Sequence, residues 1–155
     1  MKHVYVAMPK FLKRKNHQLI VNKVKKSFLE RHLEYKGHHF LNPFNEIEQI
    51  GTPEDIMKEC FKAVKKADAV LCIIPMPPEI DETLTLGALS ESDLALIENK
   101  PVHVCELKKR KAIFFTIKHL NELLKKYKVK APLWWLEKHP DLRIGKKYIS
   151  QENLF

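Results

Sequence analysis

A continuous apolar run in the middle of the chain constrains the fold more than any other feature. Residues 69–74 read AVLCII, and a proline-rich stretch that begins at Pro75 ends the run. Because the run has no polar alternation, a strand made from it needs cover on both faces. Parallel sheets meet that need, since their crossover connections lay helices on both faces. The run therefore predicts a buried strand in a parallel sheet.

Strand-like and helix-like segments alternate along the rest of the chain. Short apolar runs predict three more strands, at residues 3–7, 38–41 and 101–105. Apolar residues spaced by three or four predict helices between and after them. We expect these helices over residues 16–37, with Asn16 as N-cap and Gly37 at the C-terminal end, and over 53–64, 84–98 and 113–127. The alternation favours right-handed crossovers in a sheet covered on both faces.

The composition is that of one globular domain spanning residues 1–155. Hydrophobic residues make up 45% of the chain, which is enough for a core. Cys60, Cys72 and Cys105 are odd in number and lack a CxxC spacing, which argues against a disulfide framework or a zinc site. No apolar run approaches the ~20 residues of a membrane span, and no signal-peptide pattern follows Met1. We therefore expect a cytoplasmic protein with no membrane contact, no metal ion and no cofactor.

Charge is unevenly distributed in this basic chain, whose formal net charge is +9. Residues 1–40 carry ten Lys and Arg against two acids, and residues 101–155 carry thirteen against five. Residues 41–100 reverse this balance, with twelve acids against five basic residues. The basic ends fit attraction to phosphates or nucleic acid, and they also fit a lysine-rich solvated surface. No nucleic-acid motif supports the first interpretation, and both stay open.

The residues most suited to chemistry lie where the predicted strands end. Ligands of open parallel sheets bind beyond the carboxyl ends of the strands. Tyr5 lies near the end of the first strand, and Asp81 and Glu91 belong to the connection after the apolar run, so the three could converge on one cleft. The loops that a ligand would meet are 8–15, 42–52, 75–87 and the one after residue 105.

The local sequence around Glu91 allows two interpretations. Gly87 and Ala88 precede it by one helical turn, and Leu94 and Ala95 follow it by one turn. Such neighbours would allow close ligand approach and partial desolvation, which raises the pKa of a carboxyl group. The same pattern fits an ordinary acid on the solvent face of an amphipathic helix.

Three segments, in this order, resemble landmarks of the nucleoside 2-deoxyribosyltransferase family, which includes deoxynucleoside-monophosphate N-glycosidases. The first is HVYVAMPKF at 3–11, a strand with an internal tyrosine and a loop that ends in an aromatic residue. The second is KKADAVLCIIP at 65–75, where Ala-Asp opens a buried strand. The third is GALSESDLALIENKPVHV at 87–104, where a helix with a glutamate is followed by a polar turn, a lysine and a short strand.

The resemblance implies a flavodoxin-like or Rossmann-like three-layer sandwich with a sheet of four to five parallel strands. This core would span residues 1–107, and a basic C-terminal helix and tail would follow at 108–155. It also implies a catalytic set for glycosyl transfer. Glu91 would attack C1′ of a deoxyribose, Tyr5 would hydrogen-bond Glu91 and hold its rotamer, and Asp81 would transfer a proton to the departing base or bind a sugar hydroxyl.

The same resemblance suggests which residues contact the substrate. Phe11 and Phe44 fit stacking on the base, and they fit ordinary packing equally well. Lys10 opens a basic loop that suits a 5′-phosphate and also fits a solvated surface. The remaining expected contacts, all near the strand ends, are Met8, Thr85 and Gly87. The expected partners are a small-molecule nucleoside or nucleotide and further copies of the chain in a homo-oligomer, a dimer or larger, because C-terminal segments of the family can complete a neighbour's pocket.

The chain departs from the family pattern at three positions. Asp93 stands where the family has a glycine, two residues after the glutamate. Asp81 lies ten residues before Glu91, a longer interval than usual. Cys60 stands where the family often has an aspartate. These departures leave the general acid unassigned.

Three hypotheses follow. The first is an enzyme that transfers or hydrolyses an N-glycosidic bond through Glu91. The second is a basic nucleic-acid-binding protein or nuclease, whose affinity would fall steeply with salt. The third is a non-catalytic α/β module that senses a nucleotide or mediates assembly.

Overall fold

The protein folds around one five-stranded sheet. The computed structural model describes residues 2–8, 14–76, 82–108 and 111–127. The strand order is β2-β1-β3-β4-β5, with the first four strands parallel and β5 antiparallel to β4. The strands are β1 (His3–Ala7), β2 (His39–Leu41), β3 (Ala69–Met76), β4 (Val102–Lys108) and β5 (Lys111–Ile117).

Helices cover both faces of this sheet, as the apolar run predicts. The helices are α1 (Arg14–Arg31), α2 (Pro43–Glu46), α3 (Pro53–Lys66), α4 (Glu82–Ile97) and α5 (Leu120–Tyr127), with a 3₁₀ turn at Leu33–Tyr35. The three-layer α/β prediction is therefore confirmed. No helix in the described parts of the chain is long and apolar enough to cross a membrane.

The N-terminus of α3 forms where the sequence predicts it. Thr52 accepts a hydrogen bond from the Asp55 backbone N–H at 3.2 Å, and the Asp55 carboxylate accepts one from the Thr52 backbone N–H at 3.1 Å. Pro53 occupies the first helical position, where its missing N–H is not needed. This capping box satisfies two helix-end donors and directs α3 back across the sheet.

Two local predictions are wrong. Residues 113–117 form most of β5 and not the start of a helix, because their β-branched and aromatic side chains pair with β4, and the helix begins only at Leu120. Helix α1 begins at Arg14, which puts the predicted cap Asn16 inside the first turn. It ends at Arg31, while Gly37, with φ +89°, lies in the turn after the 3₁₀ segment.

The sheet separates two cores. Tyr5, Cys60 and Cys72 belong to the core shared with α3 and α4, whereas Phe28 and Cys105 belong to the core under α1. Alternate residues of each strand enter opposite cores, as the period of two requires. The two faces of the sheet are thus separate chemical environments.

A buried polar contact lies in the core under α1. The Tyr35 hydroxyl is 2.9 Å from His103 Nε2, and Thr116 Oγ1 is 3.1 Å from the other ring nitrogen. Burial, assisted by the nearby His32, lowers the pKa of His103 to about 4. His103 is therefore a neutral, hydrogen-bonded sheet residue.

Strand lengths create a step at the carboxyl edge of the sheet. Ala7, the last residue of β1, pairs with Cys72, whereas β3 runs four residues further to Met76 and pairs with β4 along that length. At ~3.3 Å per residue this difference is about 13 Å. The connections of β1 and β3 also leave in opposite directions along the sheet, so the step coincides with the topological switch point, where such folds bind ligands.

Lys100 joins α3 to the start of β4. Its ammonium group donates to the carbonyl oxygens of Val64 at 3.1 Å and Ala67 at 2.6 Å, and also to that of Lys65. These carbonyls belong to the C-terminal end of α3, where the helix leaves acceptors unpaired and the macrodipole favours a cation. Asn99, with φ 58°, makes the turn that delivers Lys100 to this position.

We expect Lys100→Met to lower the free energy of unfolding by about 1–2 kcal/mol, because it removes charge-assisted hydrogen bonds and leaves the helix end uncapped. Urea unfolding followed by circular dichroism measures this loss. Lys66→Met is the matched control, since Lys66 lies exposed in the last turn of the same helix. Equal losses in the two variants would contradict the role assigned to Lys100.

Candidate active site

Glu91 lies in the middle of α4, packed against the switch between β1 and β3. Only 7% of its surface is exposed, so the solvent-face interpretation of this residue is wrong. Its neighbours come from three elements, β1, α3 and β3. The charge of Glu91 raises the pKa of Tyr5, Cys60 and Cys72. Tyr5 and Cys72 belong to the two strands on either side of the switch point. The fold therefore buries the Glu91 carboxyl group against the sheet, close to the carboxyl end of β1.

Burial dominates the electrostatics of this carboxyl group. Desolvation raises the pKa of Glu91 to about 8, and the interaction with the Tyr5 hydroxyl opposes part of that rise. At neutral pH the group is therefore mostly protonated, with a minor population of carboxylate. A desolvated carboxylate is a stronger nucleophile and a stronger electrostatic partner than a solvated one.

Tyr5 faces Glu91 from the strand. Burial, with the adjacent Glu91 charge, raises the Tyr5 pKa well above its ordinary value, so the phenol keeps its proton. The hydroxyl has no hydrogen-bond partner among the residues that the structure describes. The hydroxyl nevertheless interacts with Glu91 and opposes part of the rise in the pKa of that carboxyl group. Catalytic hydrogen bonds are often loose before a ligand binds and tighten in the complex.

Two thiols also lie near Glu91. Burial raises the pKa of Cys60 to about 12 and that of Cys72 to about 12, with Glu91 adding to the rise in both. Both groups are therefore neutral and unreactive at physiological pH. Cys60 lies against Tyr5. Glu91, Tyr5, Cys60 and Cys72 together form what we call the Glu91 cluster. The position at which the resembled family often has an acid therefore belongs to this cluster.

The helix around Glu91 is buried on several sides. Ser90, Ser92 and Asp93 are each 0% exposed. Ser92 donates to the Ala88 carbonyl oxygen at 3.0 Å, which satisfies its hydroxyl within the helix. Gly87 faces α3, where an added Cβ would lie 3.6 Å from Met57 Cε, an ordinary contact. Gly87 thus marks close helix packing and not a position that only glycine can occupy.

Met8 and Phe44 lie at the same edge of the sheet but pack into the core under α1. Phe44 stacks on His17, with ring centroids 4.3 Å apart and planes at 14°. One face of the ring expected to stack on a base is therefore covered by an imidazole. The structure does not bring these two residues into the Glu91 cluster.

Four other predicted site residues lie wholly or partly outside the described part of the chain. Asp81, Lys10 and Phe11 lie outside the described residues. Thr85 lies in α4, and its side chain is outside the described part. Their roles stay predictions.

Polar groups that the sequence reasoning missed gather at the ends of β1 and β2. Gln18 Oε1 accepts from Asn42 Nδ2 at 3.0 Å and from Asn45 Nδ2 at 2.7 Å. Asn42 also accepts from the Phe44 backbone N–H at 3.1 Å and so starts α2. The Asn-Pro pair after β2 signals this cap, but only the fold brings Gln18 to it.

Glu106 was also missed. It lies at the carboxyl end of β4 on the Glu91 face of the sheet and is 3% exposed. Lys126 of α5 contacts it at 3.2 Å and lies 4.4 Å from the centroid of the Phe115 ring. An acid that directly follows the apolar stretch at 102–105 was the signal available in the sequence. Among the described residues, no group of three or more His, Cys, Asp or Glu side chains is placed to hold a metal ion.

Stability should depend on pH through Glu91. Because its pKa is raised in the folded state, its stabilising contribution is complete below the unfolded value near 4.5 and is lost as pH rises through about 8. We expect the free energy of unfolding of the wild type to fall between pH 5 and 8 by about 3 kcal/mol more than that of Glu91→Gln. Urea unfolding at both pH values tests this. Glu98→Gln, an exposed change in the same β3–β4 connection, is the control and should show the same loss as the wild type. If the wild type and Glu91→Gln lost the same free energy of unfolding between the two pH values, the assignment to Glu91 would be refuted.

The comparisons with known proteins support the fold. No protein-family profile matches this sequence, and no curated protein matches it significantly. Among solved structures, the fold is similar to that of a 2-desoxiribosyltransferase from Leishmania mexicana, with a TM-score of 0.51 and 16% sequence identity. The match covers 86% of this chain and 75% of the other. The two proteins therefore share an α/β fold and a distant structural relationship.

Proposed function

We propose that this protein cleaves or transfers the N-glycosidic bond of a 2-deoxynucleoside or its monophosphate, with Glu91 as the nucleophile. The observation that carries the proposal is a buried carboxyl group, beside a strand tyrosine, near the switch point of a mostly parallel sheet. Solvent-facing acids serve solubility, whereas a carboxyl group that is buried at a ligand-binding edge and has a raised pKa is a functional candidate.

The proposed reaction has two steps. In the first, a Glu91 carboxylate oxygen bonds to C1′ of the sugar while the C1′–N bond breaks and its electron pair remains on the base nitrogen, which takes up a proton. In the second, water or the nitrogen of another base displaces the carboxylate from C1′ and loses a proton. The transition states resemble an oxocarbenium ion, which an adjacent carboxylate stabilises.

The surroundings of Glu91 suit this chemistry. A sugar that develops positive charge at C1′ favours the ionised form of the carboxyl group, which desolvation alone disfavours. Tyr5 is a neutral donor that can hold one carboxylate oxygen and leave the other for attack. Asp81 remains the proposed proton donor to the leaving base. The likeness of the fold to a 2-desoxiribosyltransferase supports a nucleoside as the substrate class.

We expect Glu91→Gln and Glu91→Ala to abolish base release, lowering kcat/KM by at least about 1,000-fold, because neither side chain can bond to C1′. Purified protein incubated with a panel of 2′-deoxynucleosides and their 5′-monophosphates, with free base measured by chromatography, gives the rates. Glu98→Gln should keep wild-type activity.

Two results would count against the assignment. Full activity in Glu91→Gln would remove Glu91 from the reaction. Binding of a nucleotide without release of base by the wild type would favour the non-catalytic module instead. In the active case, an intact-mass increase of one deoxyribosyl unit on the wild type, absent from Glu91→Ala, identifies the covalent step.

The pH profile tests the role of Tyr5. With an uncharged nucleoside, kcat/KM of the wild type should rise with pH through an apparent pKa of about 8, since the free enzyme must be ionised at Glu91. Tyr5→Phe removes the hydroxyl that lowers this pKa, so the rising limb should move upward by roughly one pH unit or less. Tyr35→Phe, which removes a phenol hydroxyl on the other face of the sheet, is the control. A limb that stays in place in Tyr5→Phe would show that Tyr5 does not act on Glu91.

A further inference from the structure

A cavity of about 490 Å³ lies between α1 and the β4–β5 hairpin. Helix α1 contributes Ile20, Lys23, Val24 and Ser27, spaced so that they share one face of the helix. The cavity lies on the α1 face of the sheet, whereas Glu91 packs on the α3 and α4 face. It is therefore separate from the candidate active site.

The hairpin forms the opposite wall. Leu107 and Ala112 are cross-strand partners on the α1 face, and Lys111 begins β5 beside them. Further along, helix α1 contacts β5 directly, where Arg31 lies 5.2 Å from the centroid of the Phe114 ring. The cavity therefore lies between residues 20–27 of α1 and the paired ends of β4 and β5.

The lining indicates the chemistry of a ligand. Its floor is aliphatic, formed by Ile20, Val24, Leu107 and Ala112. Among the described residues that line the cavity, the charged groups are the two lysines and none is an acid. Nucleobase sites use aromatic faces for stacking, and the described part of this lining has no aromatic residue. A phosphate ion would satisfy the ammonium groups but would leave the apolar floor against water. An anion with an aliphatic chain satisfies both parts.

We propose that this cavity binds an aliphatic carboxylate of about ten carbons, with its chain on the floor and its carboxylate between Lys23 and Lys111. The size is consistent, because at ~30 Å³ for each water-sized group the cavity holds about 16 such groups, and decanoate has about 12 non-hydrogen atoms. Ser27 supplies a hydroxyl donor from the same helix face. This site is independent of the proposed reaction at Glu91.

Titration with sodium decanoate, followed by ¹H–¹⁵N NMR of the whole chain, tests the proposal. We expect saturable shifts at one equivalent in α1 and the β4–β5 hairpin, with affinity lowered about tenfold in Lys23→Gln/Lys111→Gln. Ala112→Phe should block binding by filling the floor. Ile113→Phe, next along β5 and directed to the other face, and Lys62→Gln on α3 are the matched controls and should bind as the wild type does.

Two further experiments distinguish a free aliphatic carboxylate from a phosphate ion and from an anionic lipid surface. Inorganic phosphate should produce no saturable shifts, and vesicles of phosphatidylglycerol should not sediment the protein through Lys23 and Lys111, because the cavity takes a single chain. The proposal is overturned if decanoate binding is unchanged in both the lysine and the Ala112→Phe variants. It is also overturned if phosphate binds and decanoate does not, or if only vesicles bind in a lysine-dependent way.

Discussion

The removal of one carboxyl group from water is the constraint around which the candidate site is built. Glu91 sits where α4 crosses the junction of β1 and β3, and burial there raises its pKa to about 8. Three described groups that interact with it are neutral: a phenol and two thiols, each kept in its protonated form by the same burial. A second acid at the position of Cys60 would repel the ionised form and raise the Glu91 pKa further. The thiol therefore keeps the carboxyl group within reach of ionisation near neutral pH.

The sheet places this carboxyl group near the edge at which ligands of parallel sheets bind. Because β1 and β2 end before β3 and β4, the carboxyl edge has a step. Cys72 lies at this step, paired with Ala7, and Tyr5 lies two residues earlier in β1. The two faces of the sheet carry different polar sites. The α3 and α4 face holds Glu91 and Glu106, whereas the α1 face holds the His103 contact and the lysine-lined cavity. One sheet thus separates the proposed chemistry from the proposed second site.

Local sequence predicts elements well where the side chains leave one choice. The apolar run at 69–74 needs cover on both faces, and the Thr52-Pro53 start determines where α3 begins, so both predictions are confirmed. The local pattern at residues 113–117 is compatible with two structures. Its apolar spacing fits a helix, and its β-branched and aromatic side chains fit a strand. The free edge of β4 decided in favour of the strand. No local signal reports an available strand edge.

For this protein, the sequence by itself determined the α/β class, the first four strands and the candidate role of Glu91, because patterns of hydrophobicity and motif order are properties of the chain. Only the tertiary structure decided that Glu91 is buried, that Cys60 shares its surroundings and that Phe44 is covered by His17. It also brought Glu106 to the same face of the sheet. These facts arise from contacts between segments far apart in the chain, and desolvation depends on what every neighbour excludes, which no single segment encodes.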